Sequence, residues 1–134
     1  MTYRTLLLIK AAVCIALGVY LLVAPASLLG LLGATLSGGG QFTAREYGAA
    51  MIGIVMLAWF AKDVQARDAR TAILLNLFVY DGIGVIITVS AVLNGVLNAL
   101  GWGIVLVYAF FTLGSGYLLV QNRHGISSQT PRAD

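Results

Sequence analysis

Residues 69–93 read ARTAILLNLFVYDGIGVIITVSAVL. A helix needs about 20 apolar residues to cross the hydrocarbon core of a bilayer, and this stretch is long enough. Its one carboxylate, Asp81, falls near the middle. An acid at that depth costs roughly 2.5–3.5 kcal/mol on insertion scales, so it is expected to face protein rather than lipid. The spacing agrees. Asp81, Gly84, Thr88, Ala91 and Gly95 recur at helical intervals and make one face of small or polar side chains. Small residues let helices approach closely in lipid. The stretch predicts a membrane-crossing helix, N-capped by Asp68, with Asp81 turned into a bundle.

Three further stretches have the same character. Residues 6–24 are interrupted only by Lys10 and stopped by Pro25, which cannot continue the helical ladder. Residues 44–61 begin with a capping-box pattern: Thr43 is placed as N-cap and Glu46 reaches back, with Phe42 and Tyr47 set for a hydrophobic staple. Residues 98–120 make the fourth span, after a tight turn through Asn94, Gly95 and Asn98. Between the first two spans, 27–36 predicts a short interfacial or re-entrant helix and 37–40 a flexible joint. The expectation is an all-α integral membrane four-helix bundle over 1–120, followed by a polar tail at 121–134.

Composition supports this. The 134 residues are 60% hydrophobic and 10% charged, against about 25% charged in soluble domains. A soluble chain this short exposes too much of its surface to hide that many apolar side chains. A nucleic-acid binder, a disordered chain and a secreted disulfide scaffold are excluded. One cysteine, Cys14, allows neither an internal disulfide nor a CxxC redox pair. One histidine, His124, sits in the polar tail, so a bis-His haem in the membrane is excluded and a zinc site has too few ligands. No cofactor or metal is expected.

The formal charge of +3 is topological information. Arg4, Lys62, Arg67, Arg70, Arg123 and Arg132, with Lys10 nearest to them, fall on the side that holds both termini; Arg45 alone falls on the other. The positive-inside rule then places both termini in the cytoplasm. Trp59 and Trp102 take opposite belt positions. The N-terminus faintly resembles a signal peptide, but Lys10 inside the apolar run argues against cleavage.

The intramembrane polar residues have structural and functional readings side by side. Asp81 is a hydrogen-bonded packing residue, with Tyr108, Thr112 and Ser115 as partners across the fourth span, or the acid of a proton- or ion-coupled device, or a contact to a ligand or partner. Lys10 either snorkels to the interface, the favoured reading, or pairs with Asp81. Arg45 and Glu46 read as a helix start before a charged gate, and Asn76 as an interhelical hydrogen bond. Ala12/Ala16, Ala49/Gly53 and Gly84/Thr88 are small-xxx-small pairs, read as helix-packing contacts. No dinucleotide fingerprint, Walker A, HExxH or GxSxG pattern is present.

The phrases LLVAPASLLGLLG (21–33), AREYGAAMIGIVMLAWFA (44–61) and VLNGVLNALGW (92–102) occur in an order that resembles a group of small four-helix bacterial membrane proteins of unknown function. Arg45, Gly48, Asn94, Asn98, Gly101 and Trp102 are the landmarks. The resemblance implies four spans in a bacterial inner membrane and no activity. Three functions remain open: a non-catalytic accessory subunit or homo-oligomer, which is the leading expectation; a proton- or ion-coupled transporter using Asp81; and a lipid- or quinone-binding protein. Membrane lipids and other membrane subunits are the expected partners, and nucleic acid is not.

Overall fold

A computed structural model describes residues 1–124. The chain runs α1 (Tyr3–Val23), α2 (Pro25–Leu31), α3 (Gly38–Ala61), α4 (Arg67–Leu93) and α5 (Gly101–His124), and no strand occurs among the described residues. Four helices, all but the short α2, are long and apolar enough to cross a membrane. The chain is an all-α bundle of the multi-pass membrane type. At 1.5 Å per residue the spanning helices are about 30–40 Å long.

Several boundaries differ from the sequence reading, each for a local reason. Helix α3 starts at Gly38, so the three glycines 38–40 form its first turn rather than a joint. Its N-cap is Ser37, whose hydroxyl accepts a hydrogen bond from the Gly40 amide at 3.3 Å. Thr43 lies inside the helix and donates to the Gly39 carbonyl; no capping box forms with Glu46. Asp68 sits in the first turn of α4, one residue inside the helix, and Ala66 is the N-cap. Helix α5 runs on to His124, so 121–124 are helical; 125–134 of the expected tail lie outside the described residues. Pro25 does end α1, and it opens α2 at once, where a missing N–H costs nothing.

The spanning helices associate as two pairs. Helix α1 lies along α3 and α4 along α5, while between the pairs, among the described residues, the helix backbones come close only at α1 and α5. Glycine sets both close approaches. A methyl group at Gly48 would fall 2.8 Å from the Gly18 carbonyl oxygen, and one at Gly84 would fall 2.7 Å from the Tyr108 ring. These pairings correct two of the expected ones. Ala49 and Gly53 are exposed, as are Ala12 and Ala16, and a methyl group at Gly53 would meet nothing. The face through Asp81, Gly84 and Thr88 does pack inward, while Ala91 is half-buried and Gly95 lies exposed in the turn.

The tight core fills the half of the bundle nearest the N-terminus, around Leu6, Leu7, Ala58, Leu74, Leu77 and Phe111. Polar contacts finish that end. Tyr3 Oη donates to the Ala61 carbonyl at 3.1 Å, Arg70 stacks over the Tyr3 ring, and Arg67 donates to the Asn122 carbonyl. At the opposite end Asn98 ties the pairs together. Its amide N–H donates to Leu32 O at 2.7 Å and its Nδ2 to Leu31 O at 2.8 Å. Gly33 (φ 85°) and Gly95 (φ 71°) supply the left-handed residues these two connections need. Outward-facing Ile86, Leu106, Leu113 and Phe60 give the apolar surface that lipid requires. Trp59 and Trp102 are exposed near opposite ends, as an aromatic belt requires.

A candidate intramembrane binding cavity

Where the core stops, polar side chains from all four spanning helices converge. Lys10 on α1 does not snorkel. It is 3% exposed, and its Nζ donates to Asp81 Oδ1 on α4 at 2.5 Å. The register explains the pairing. Arg70 of α4 is level with Tyr3 of α1. From that level Lys10 lies about 10 Å deep and Asp81 about 16 Å. The four-carbon lysine stem spans the difference. The ammonium also faces the ring of Phe111, 4.5 Å from its centroid, and that of Tyr80 at 5.3 Å. Asp81 is fully buried, and its second oxygen, Oδ2, has no hydrogen-bond partner among the described residues.

The partners expected for Asp81 on α5 are otherwise engaged. Thr112 donates to the Tyr108 carbonyl at 2.9 Å and Ser115 to the Phe111 carbonyl at 2.7 Å, both one turn back on their own helix. Thr88 does the same to Gly84. Tyr108 turns to α3 instead. Its hydroxyl lies 2.7 Å from that of Tyr47, which lies 2.6 Å from that of Tyr80 on α4. Asn76 is exposed and makes no interhelical hydrogen bond among the described residues, and Arg45 and Glu46 are exposed on α3.

Tyr47 and Tyr80 are the cavity-lining polar residues that the sequence reading does not single out. The sequence pattern gives Tyr47 a place in a staple and draws attention to Asp81 over its neighbour Tyr80. One signal was available: a phenol deep in a spanning helix needs a hydrogen-bond partner when buried, and three such tyrosines stand at similar depth on three helices.

Lys10 and the tyrosines form the floor of a cavity of about 700 Å³. The walls are apolar: Val13, Leu17 and Leu21 of α1, Met51 of α3, Ile104 and Val107 of α5. Leu28 and Leu29 of α2, with Leu32 and Leu36 after it, make the roof. A second space of about 290 Å³, between Ile83, Ile87 and Thr88, touches the same three tyrosines. The cavity arises because the two helix pairs meet closely only in the half nearest the N-terminus. Chemically it can enclose an apolar body and present hydroxyl groups to one end of it. No group of three His, Cys, Asp or Glu side chains suited to a metal occurs among the described residues.

Comparison with family models, with curated proteins and with solved structures finds no match.

Proposed function

We propose that this chain is an intramembrane receptor for a small lipophilic molecule with a polar head, held between the two helix pairs. One observation carries the reading: a largely apolar cavity of about 700 Å³ with Lys10 and three phenols gathered at its floor, the one other hydroxyl on its lining, that of Thr43, being spent on the Gly39 carbonyl. Ligand pockets run to roughly 300–1,000 Å³, apolar with a few placed polar groups that orient the occupant. The reading favours lipid or quinone binding over the transporter. For proton coupling Asp81 would have to exchange a proton with water, and it is fully buried with Lys10 on one of its oxygens. It is compatible with an accessory subunit that holds the molecule for a larger complex.

The cellular placement belongs to the same proposal. Arg4, Lys62, Arg67 and Arg70 gather at the end of the bundle that holds the N-terminus. By the positive-inside rule that end faces the cytoplasm, and a bacterial inner membrane is the location that goes with this reading. The cavity, on the far side of the Lys10–Asp81 pair, opens in the outer leaflet.

The test is native mass spectrometry of the protein extracted with its surrounding lipid, followed by identification of any retained small molecule. The expected result is one retained lipophilic molecule per chain, lost in Leu17→Trp, which fills the cavity from α1. A chain that emerges empty under conditions that keep annular lipid, or equal retention by Leu17→Trp, overturns the reading. Any additional protein mass identifies the complex it serves.

A further inference from the structure

The hydroxyls of Tyr47, Tyr80 and Tyr108 carry one proton each, and two hydrogen bonds join them through Tyr47. Each bond uses one proton. If the chain of bonds runs in one direction, the last tyrosine keeps an unspent donor. If both neighbours donate to Tyr47, Tyr47 keeps it. Every arrangement leaves one proton over. The three tyrosines are half-buried, and inside a bilayer a donor that lacks a protein acceptor has no water to turn to. All three tyrosines line the cavity as well as the smaller, mainly apolar space beside it, and an occupant of the larger one supplies the acceptor.

Charge adds a second condition. Among the described residues Lys10 is the one charged side chain lining the cavity, and Asp81 neutralises it at 2.5 Å. An anionic head would bring an uncompensated charge into an apolar space, and a cationic head would meet the Lys10 ammonium at close range. Resting on the receptor reading above, we infer that the occupant's head is uncharged and carries an oxygen that accepts the spare tyrosine proton. The class is a ketone, quinone, ester or alcohol on an apolar body.

Cys14, the chain's one cysteine, also lines the cavity and reports its occupancy. The full chain in lipid nanodiscs is treated with a membrane-permeant maleimide in the presence of four probes. They share one saturated chain and differ only in the head: methyl ketone, primary alcohol, carboxylate and trimethylammonium. The ketone and alcohol are expected to protect Cys14 at about tenfold lower concentration than either ion. An isotope-labelled ketone carbonyl is expected to absorb at lower wavenumber when bound than when dissolved in the lipid alone. In the triple variant Tyr47→Phe, Tyr80→Phe, Tyr108→Phe both the preference and the shift disappear. Best protection by an ion, or a bound carbonyl with an unshifted stretch, overturns the assignment of the head and leaves the receptor standing. Protection by none of the four overturns the receptor itself. The infrared measurement needs only the unmodified protein, so it decides the matter even if the triple variant fails to fold.

Discussion

At the residue scale the Lys10–Asp81 pair dominates, because two charges out of water are each costly and together tolerable. Removing one partner of a buried ion pair leaves the other uncompensated and costs about 3–5 kcal/mol. Lys10→Met and Asp81→Asn are each expected to lose about that much stability, measured by reversible unfolding in bicelles. The double variant should recover part of the summed loss, with a coupling of about 1–3 kcal/mol; strict additivity would show that the pair is not formed. Half of this was legible in the sequence. The cost of a mid-span carboxylate and its small-residue face were enough to turn Asp81 inward. The partner was not legible. Snorkelling and pairing differ only in which way a flexible stem points, and that depends on how far α4 is staggered against α1. The tyrosines failed for a related reason: Tyr47, Tyr80 and Tyr108 are distant in sequence and share a depth only after the helices are packed.

At the element scale, glycine decides which helices touch. Gly48→Ala pushes a methyl group against the Gly18 carbonyl oxygen 2.8 Å away, and backbone cannot step aside cheaply. Such overpacking costs about 1–3 kcal/mol. Gly53→Ala, five residues along the same helix, meets open space and is expected to be neutral or to stabilise α3 by about 0.5–1 kcal/mol. Thermal unfolding of the two variants side by side separates them, and equal effects would contradict the α1–α3 contact. The small-xxx-small pattern did not distinguish these positions. Both lie in GAAMIG, and only the direction of the neighbouring helix selects Gly48 over Gly53. The start of α3 was misread by a similar route. Thr43 and Glu46 fit a capping box, but Ser37 caps one and a half turns earlier, and the glycines at 38–40 form the first turn of the helix. Spans of uninterrupted apolar residues were legible throughout, since no other backbone structure of a single segment satisfies its own polar groups in lipid.

At the scale of the whole molecule the two helix pairs form a clamp, closed on one side by packed side chains and on the other by Asn98. That residue holds the roof of the cavity through its backbone N–H and its side-chain amide, to Leu32 O and Leu31 O. Asn98→Ala keeps the first bond and removes the second, a loss of about 0.5–1.5 kcal/mol. The roof should open several-fold more often, and Cys14 should react with maleimide correspondingly faster; an unchanged rate would mean that reagents reach the cavity by another route. The sequence placed Asn98 in a turn and Leu28 and Leu29 in an interfacial helix, yet the cavity beneath them was invisible. A void is a property of how far apart two surfaces settle, and no residue pattern encodes it directly. The division into pairs has one more consequence. Each pair packs within itself, and the covalent link between them is the short connection at 62–66. Cutting the gene there should therefore yield two hairpins that insert into the membrane separately. They would find each other again through a lysine, a carboxylate and three phenols, and a cell expressing both halves would rebuild the clamp without a continuous chain.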